Sequence, residues 1–201
     1  MKKSLLALLV LAPLLLLVTT SVAWGHPGHG HDHGSMGFWA GLLHPITGLD
    51  HLLAAMAVGA WASVLGGSAR WQMPAAFLVA MLGGAAVVGG GSIGVMSAVT
   101  VIALGLLLGV AVDLSRAAAL VLVALFGVIH GASHLAGGAG LSAQTLLYVG
   151  AMLVTTAALH GAGVAMAHRF FESTSRVAPR WAGGVVTVAG VLLVAHQLHL
   201  F

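Results

Sequence analysis

Histidine carries the chemistry of this sequence: its twelve copies outnumber the seven Lys and Arg and four Asp and Glu combined. Two tight groups, His44-Pro45-Ile46-Thr47-Gly48-Leu49-Asp50-His51 and His130-Gly131-Ala132-Ser133-His134, lie in otherwise apolar stretches. A third, His26-Pro27-Gly28-His29-Gly30-His31-Asp32-His33, is polar throughout, a metal-binding composition. Neutral imidazole is a ligand for borderline transition metals, and an ionisable side chain inside a bilayer is costly enough to imply a task. The pattern points to a membrane protein that handles a divalent transition metal. There is no Cys, so thiolate sites and disulfides are excluded and the ligands must be imidazole, carboxylate or backbone.

Spacing sharpens this. His44 and His51 are seven residues apart, which on a regular helix places them on one face to within about 20°. Asp50 falls roughly 100° round from His51, to ligate from an adjacent direction or to orient an imidazole from behind. Pro45 and Gly48 predict a local break in this segment, with backbone carbonyls exposed as in transporter sites. His130 and His134 have the i,i+4 spacing that lets two imidazoles reach one ion. His160 and His168 lie further along, and His196 and His199 close the chain.

The elements that must position these residues are apolar. A hydrophobic content of 60%, 5% charged residues and a mean hydropathy of +1.09 describe an all-α polytopic membrane protein. Residues 1–25 read as a secretory signal peptide: Lys2 and Lys3, an apolar run to Val18, then small residues allowing cleavage after Ala23 or Gly25. An uncleaved signal anchor is the alternative. Residues 26–36 form a His-rich periplasmic tail and 37–201 a six-helix transmembrane domain, with spans near 37–65, 73–90, 93–112, 117–136, 143–168 and 181–201. Pro74 and Pro179 sit at the starts of the second and last spans, where proline is tolerated.

If the tail is outside, loops 66–72, 113–116 and 169–180 are cytoplasmic, and at or in them lie all five arginines, Arg70, Arg116, Arg169, Arg176 and Arg180. The topology expected is therefore a bacterial inner-membrane bundle with tail and C-terminus periplasmic. Glycine pairs four apart (Gly37/Gly41, Gly105/Gly109, Gly127/Gly131) favour close helix packing. On this topology His44, His51, His130 and His134 share the outer half. A ladder is expected: the tail captures, the outer-half site selects, and His160 then His168 receive. The plainer readings are helix–helix hydrogen bonding for His196 and His199, an interfacial role for His168, and a buffer or spacer role for the tail.

The motif at residues 44–51 resembles H-P-x-x-G-x-D-H, the signature of the HupE/UreJ family of hydrogenase and urease accessory proteins, regarded as nickel and in some cases cobalt permeases. The second family motif, near F-H-G-x-A-H-G-x-E, is matched at 129–137 (Ile-His-Gly-Ala-Ser-His-Leu-Ala-Gly) in His130, Gly131 and His134, while Gly137 stands where the acid is expected. Leu159-His160-Gly161 is similar to a fifth-span histidine of the family. The resemblance implies that His44, Asp50, His51, His130 and His134 serve metal recognition and passage, with Ni²⁺ or Co²⁺ as transported substrate. Zinc and copper suit the same ligands, so nickel rests on the resemblance.

No nucleotide-binding loop is present, which leaves facilitated diffusion as the simplest mechanism; a divalent cation gains about 4.6 kcal/mol per 100 mV on entry, twice the single-charge value. No tightly bound cofactor and no enzymatic activity are expected. The partners expected are a divalent metal ion and the lipid bilayer, with a homo-oligomer left open; no basic patch suits nucleic acid. A membrane-anchored metal sensor or chaperone is the rival. A hydrolase built on Gly90-Gly91-Ser92-Ile93-Gly94 lacks the strand–turn–helix its nucleophile needs. A faint inverted 3+3 repeat is suggested by the first and fourth spans, which carry the motifs in opposite orientations.

Overall fold

Runs of Ala, Leu, Val and Met broken only by short Gly- or Pro-containing links fold into helices throughout. The computed structural model describes residues 37–201 apart from 88–92, 111–113, 135–141, 174–176 and 201. The expected signal peptide, the tail with His26, His29, His31 and His33, Ser92 and Gly137 lie outside the described residues. Among the described residues there are seven helices and no strand: α1 (Phe38–Thr47), α2 (Leu49–Leu65), α3 (Ala69–Val87), α4 (Ile93–Val110), α5 (Arg116–Ala132), α6 (Ala143–Ser173) and α7 (Val177–Gln197).

α2 is the central helix. Leu49, Leu53, Ala54, Val58, Trp61 and Ala62 point in different directions around it and all are buried, as expected of a helix that is apolar all round. It packs chiefly on α6 and also meets α3 and α4, while α3 pairs with α5 and α4 with α7. The pairs approach to backbone contact at glycines: Gly131 on Met81, Gly127 on Phe77, Gly59 on His160, and Gly183 on Gly105 and Gly109. Gly127/Gly131 and Gly105/Gly109 thus lie in close contacts, as does Gly41 on Tyr148, whereas Gly37 meets nothing.

Local chemistry sets the helix ends. The Ser115 hydroxyl accepts the Ala118 N–H at 3.3 Å, and that of Ser142 the Thr145 N–H at 3.1 Å, supplying orphan donors at the starts of α5 and α6. α2 stops at Gly66 and Gly67, whose φ values of 71° and 53° suit glycine. Arg116 Nη1 donates to Ser68 Oγ at 2.7 Å, tying the α2–α3 turn to the start of α5, two of the loops expected on the cytoplasmic side.

α6 over Ala143–Phe170 and α7 are each long and apolar enough to cross a membrane, and α1 with α2, bent at 73°, is a third candidate if the pair is taken as one span. Large apolar side chains including Trp39, Val79, Val121, Leu146, Val154 and Val188 stand exposed, a surface that suits lipid. Helix α3 begins at Ala69, so Pro74 lies inside a helix instead of at its start.

Candidate metal site

The first histidine motif is where the chain turns. α1 ends at Thr47, α2 begins at Leu49, and the two meet at 73° across Gly48. Gly48 has φ −78° and ψ 103°, open to any residue, and the space around it is tight: a Cβ there would lie 3.1 Å from His44 O, 3.3 Å from His51 Nδ1 and 3.4 Å from Asp50 Oδ1. The expected break is therefore present, but at Gly48, with His44 and Pro45 still helical. The carbonyls of Leu43 and His44, one turn before it, are occupied. Thr47 Oγ1 lies 3.1 Å from Leu43 O and 3.3 Å from His44 O, its one proton shared between them, and the Gly48 N–H donates to His44 O at 2.8 Å.

Because of the bend, His44 and His51 do not share the face of a regular helix; they meet across the corner, with ring centroids 5.2 Å apart. His134 joins them, 4.7 Å from His44 and 4.6 Å from His51, and the His130 ring lies 4.8 Å from His51. Two overlapping groups result. His44, His51 and His134 can each offer one ligand atom within 4.8 Å of the others, and so can Asp50, His51 and His130. His51 belongs to both. His130 and His134 are therefore not a chelating pair on one helical face. α5 ends at Ala132, His134 falls in the following turn, and the two rings approach His51 in different groups.

Hydrogen bonding holds one nitrogen of several rings and leaves the other bare. His51 Nδ1 donates to Asp50 Oδ1 at 2.9 Å, and His51 Nε2 is buried with no hydrogen-bond partner. His160 Nδ1 donates to Thr156 O at 2.8 Å, leaving Nε2 buried and unpartnered. A carboxylate or carbonyl behind an imidazole, with a free lone pair in front, is the arrangement of metal-ligating histidines. His130 Nε2 contacts Thr100 Oγ1 at 2.8 Å, and its Nδ1 is unpartnered, as are both nitrogens of His134. Unpartnered polar atoms in a buried site are costly, and a cation is one way to satisfy several at once.

Exposure falls along this file. His44 and His134 are half-buried, His51 is 9% exposed, and His130 and His160 are 0% exposed. His160 lies in neither group. Between it and His130 stands the ring of Phe77, at 5.1 Å from His160 and 5.6 Å from His130. His168, the last rung expected, is exposed near the end of α6, off the face that buries His160, Gly163 and Ala167. His196 and His199 lie at the end of α7, where His199 Nδ1 donates to His196 O at 3.3 Å, a contact within one turn and not between helices.

Phe77, Thr100, Ser97 and Tyr148 are the site residues that sequence reasoning missed. Tyr148 lies 6.1 Å from His44, ring to ring, and Thr155 Oγ1 donates to Leu42 O at 2.9 Å, fastening α6 to α1. One Phe or Thr among many apolar residues carries no spacing signal.

The chain matches the family described as HupE / UreJ protein over residues 14–193. It is similar to Protein HupE of Rhizobium leguminosarum bv. viciae, 37% identical over 188 residues that cover 88% of this chain and 96% of that protein. No solved structure matches it.

Proposed function

Since the chain belongs to the HupE/UreJ family, we propose that it is a membrane permease for a divalent transition metal, with Ni²⁺ the substrate imported for hydrogenase or urease maturation. One observation carries the reading: two three-ligand groups overlap at His51, and exposure falls from the half-buried His44 and His134 to the fully buried His130 and His160. A single deep three-ligand pocket would hold an ion; overlapping groups let it move on without losing all its ligands at once.

In this reading the ion sheds water at the half-buried His44 and His134, is shared across His51, and passes to Asp50 and His130. His160, behind the Phe77 ring, takes it next. The tail histidines His26, His29, His31 and His33 concentrate metal outside. Movement is by facilitated diffusion, driven by gradient and membrane potential, with no bond-breaking chemistry. Among the described residues the site's only carboxylate is Asp50, which keeps it an imidazole-dominated, borderline-metal donor set. Nickel over cobalt rests on the family.

The same reading has six spans in a cytoplasmic membrane after a cleaved signal peptide, with α1 and α2 forming the first span and the arginines inside. The helix pairing supports an inverted 3+3 arrangement. Exchanging the first three spans with the last three maps the first–fifth pair onto the second–fourth and returns the third–sixth pair to itself. The bend at Gly48 has no counterpart in α5, which runs unbroken from Arg116 to Ala132.

The test is radiolabelled nickel flux into proteoliposomes under an imposed inside-negative potential, with cobalt, zinc and copper as competitors. Saturable uptake that rises with potential is expected. Tight binding with no flux would overturn the permease reading in favour of a membrane metal sensor or chaperone.

A further inference from the structure

Thr100 on α4 is 3% exposed and meets His130 on α5 across the bundle. Its Oγ1 lies 2.7 Å from Ser97 O and 2.8 Å from His130 Nε2. A carbonyl oxygen has no proton to give, so the hydroxyl's single proton goes to Ser97 O. At its second contact the hydroxyl can then only accept, and His130 Nε2 must carry the proton. A neutral imidazole has one N–H, so the lone pair sits on Nδ1, the nitrogen that is buried without a hydrogen-bond partner. His51, in ring contact with His130, is held the opposite way, with its proton on Nδ1 toward Asp50 and its lone pair on Nε2.

We propose that Thr100 is a positioning residue. With its own proton engaged by Ser97 O, it accepts from His130 Nε2, fixes that tautomer, and makes Nδ1 the atom His130 offers to a divalent cation. This rests on the reading of His130 as a ligand in the transport path. The α4 turn Ser97–Thr100 thereby acts on the site without touching the ion. Removing the partner behind a metal-bound imidazole lowers metal affinity by about 10–100-fold in known sites.

The experiment uses the full chain in detergent and has two independent readouts. Nitrogen NMR of isotopically labelled histidine, with the His130 signals assigned by their loss in His130→Ala, reports the tautomer without metal. Equilibrium dialysis with nickel reports affinity. Wild type and Thr100→Ser are expected to show the Nε2–H tautomer. Thr100→Val, which keeps the shape and lacks the hydroxyl, is expected to lose that single tautomer and to bind nickel about 10–100-fold more weakly, while Thr100→Ser restores binding. An Nδ1–H tautomer in wild type overturns the proposal whether or not Thr100→Val folds. So does Thr100→Val binding nickel as wild type does. If wild type shows the expected tautomer but binds no nickel, the metal reading fails and the positioning of His130 stands.

Discussion

Alanine at position 131 would place a methyl carbon against the α3 backbone one residue from His130. Its Cβ would fall 2.7 Å from the Met81 carbonyl carbon and 2.8 Å from Met81 Cα, and closer still to the carbonyl oxygen, where ordinary contact begins at 3.4 Å. The near obstacle is backbone, which cannot rotate away, so α5 and α3 must separate by more than 0.7 Å. Overpacking of this kind costs about 1–3 kcal/mol. At roughly 2–4 °C per kcal/mol for a chain of this size, the melting temperature should fall by about 2–12 °C. His130 is the neighbouring residue on α5 and its Nε2 contacts Thr100 Oγ1 on α4 at 2.8 Å, so moving α5 off α3 disturbs that contact as well. Nickel uptake should therefore fall as well. Gly161→Ala is the matched control: it also adjoins a site histidine, His160, but its Cβ would meet nothing within 4 Å. It should be neutral or stabilising by about 0.5–1 kcal/mol. Thermal melts in detergent and uptake by proteoliposomes read both variants. A Gly131→Ala protein that melts and transports as wild type would refute the argument, as would Gly161→Ala being equally damaged.

Asp50→Asn keeps an acceptor for His51 Nδ1 and should melt close to wild type while slowing uptake; Asp50→Ala leaves a buried N–H unpaired and should cost about 1–3 kcal/mol in a melt. If His51 serves both groups, His44→Ala and His130→Ala should each weaken nickel binding by equilibrium dialysis without abolishing it, and the double variant should bind as poorly as His51→Ala. Phe77→Ala removes the ring between His130 and His160; the cavity should cost about 3–5 kcal/mol in a melt and uptake should drop, whereas full activity would exclude Phe77 from the path.

What was legible in the sequence was the part governed by residue type and by simple period. Buried histidines in apolar helices stand out because lipid penalises them, and the helical stretches stand out because nothing polar interrupts them. The Gly48 break was visible as a Pro–Gly pair, yet its position and angle depend on packing: Pro45 is accommodated within α1, and the corner falls at Gly48, where His44 O, His51 and Asp50 close in. The regular-helix projection misjudged both histidine pairs for the same reason. It assumes continuous helices, and α2 starts after the corner while α5 ends before His134. Phe77 and Thr100 were illegible because their roles come from neighbours on other helices, 53 and 30 residues away in sequence from His130. The inner end of the ladder was less legible: eight residues beyond His160, His168 lies roughly 80° round the helix from it and is exposed.

The central claim is that His51 is the shared ligand through which metal passes. Radiolabelled nickel uptake into proteoliposomes, comparing wild type with His51→Ala at equal reconstituted amounts and with matched melting curves, tests it most directly. The account predicts saturable uptake by wild type and none above protein-free vesicles for His51→Ala. Undiminished uptake by a folded His51→Ala protein would contradict it.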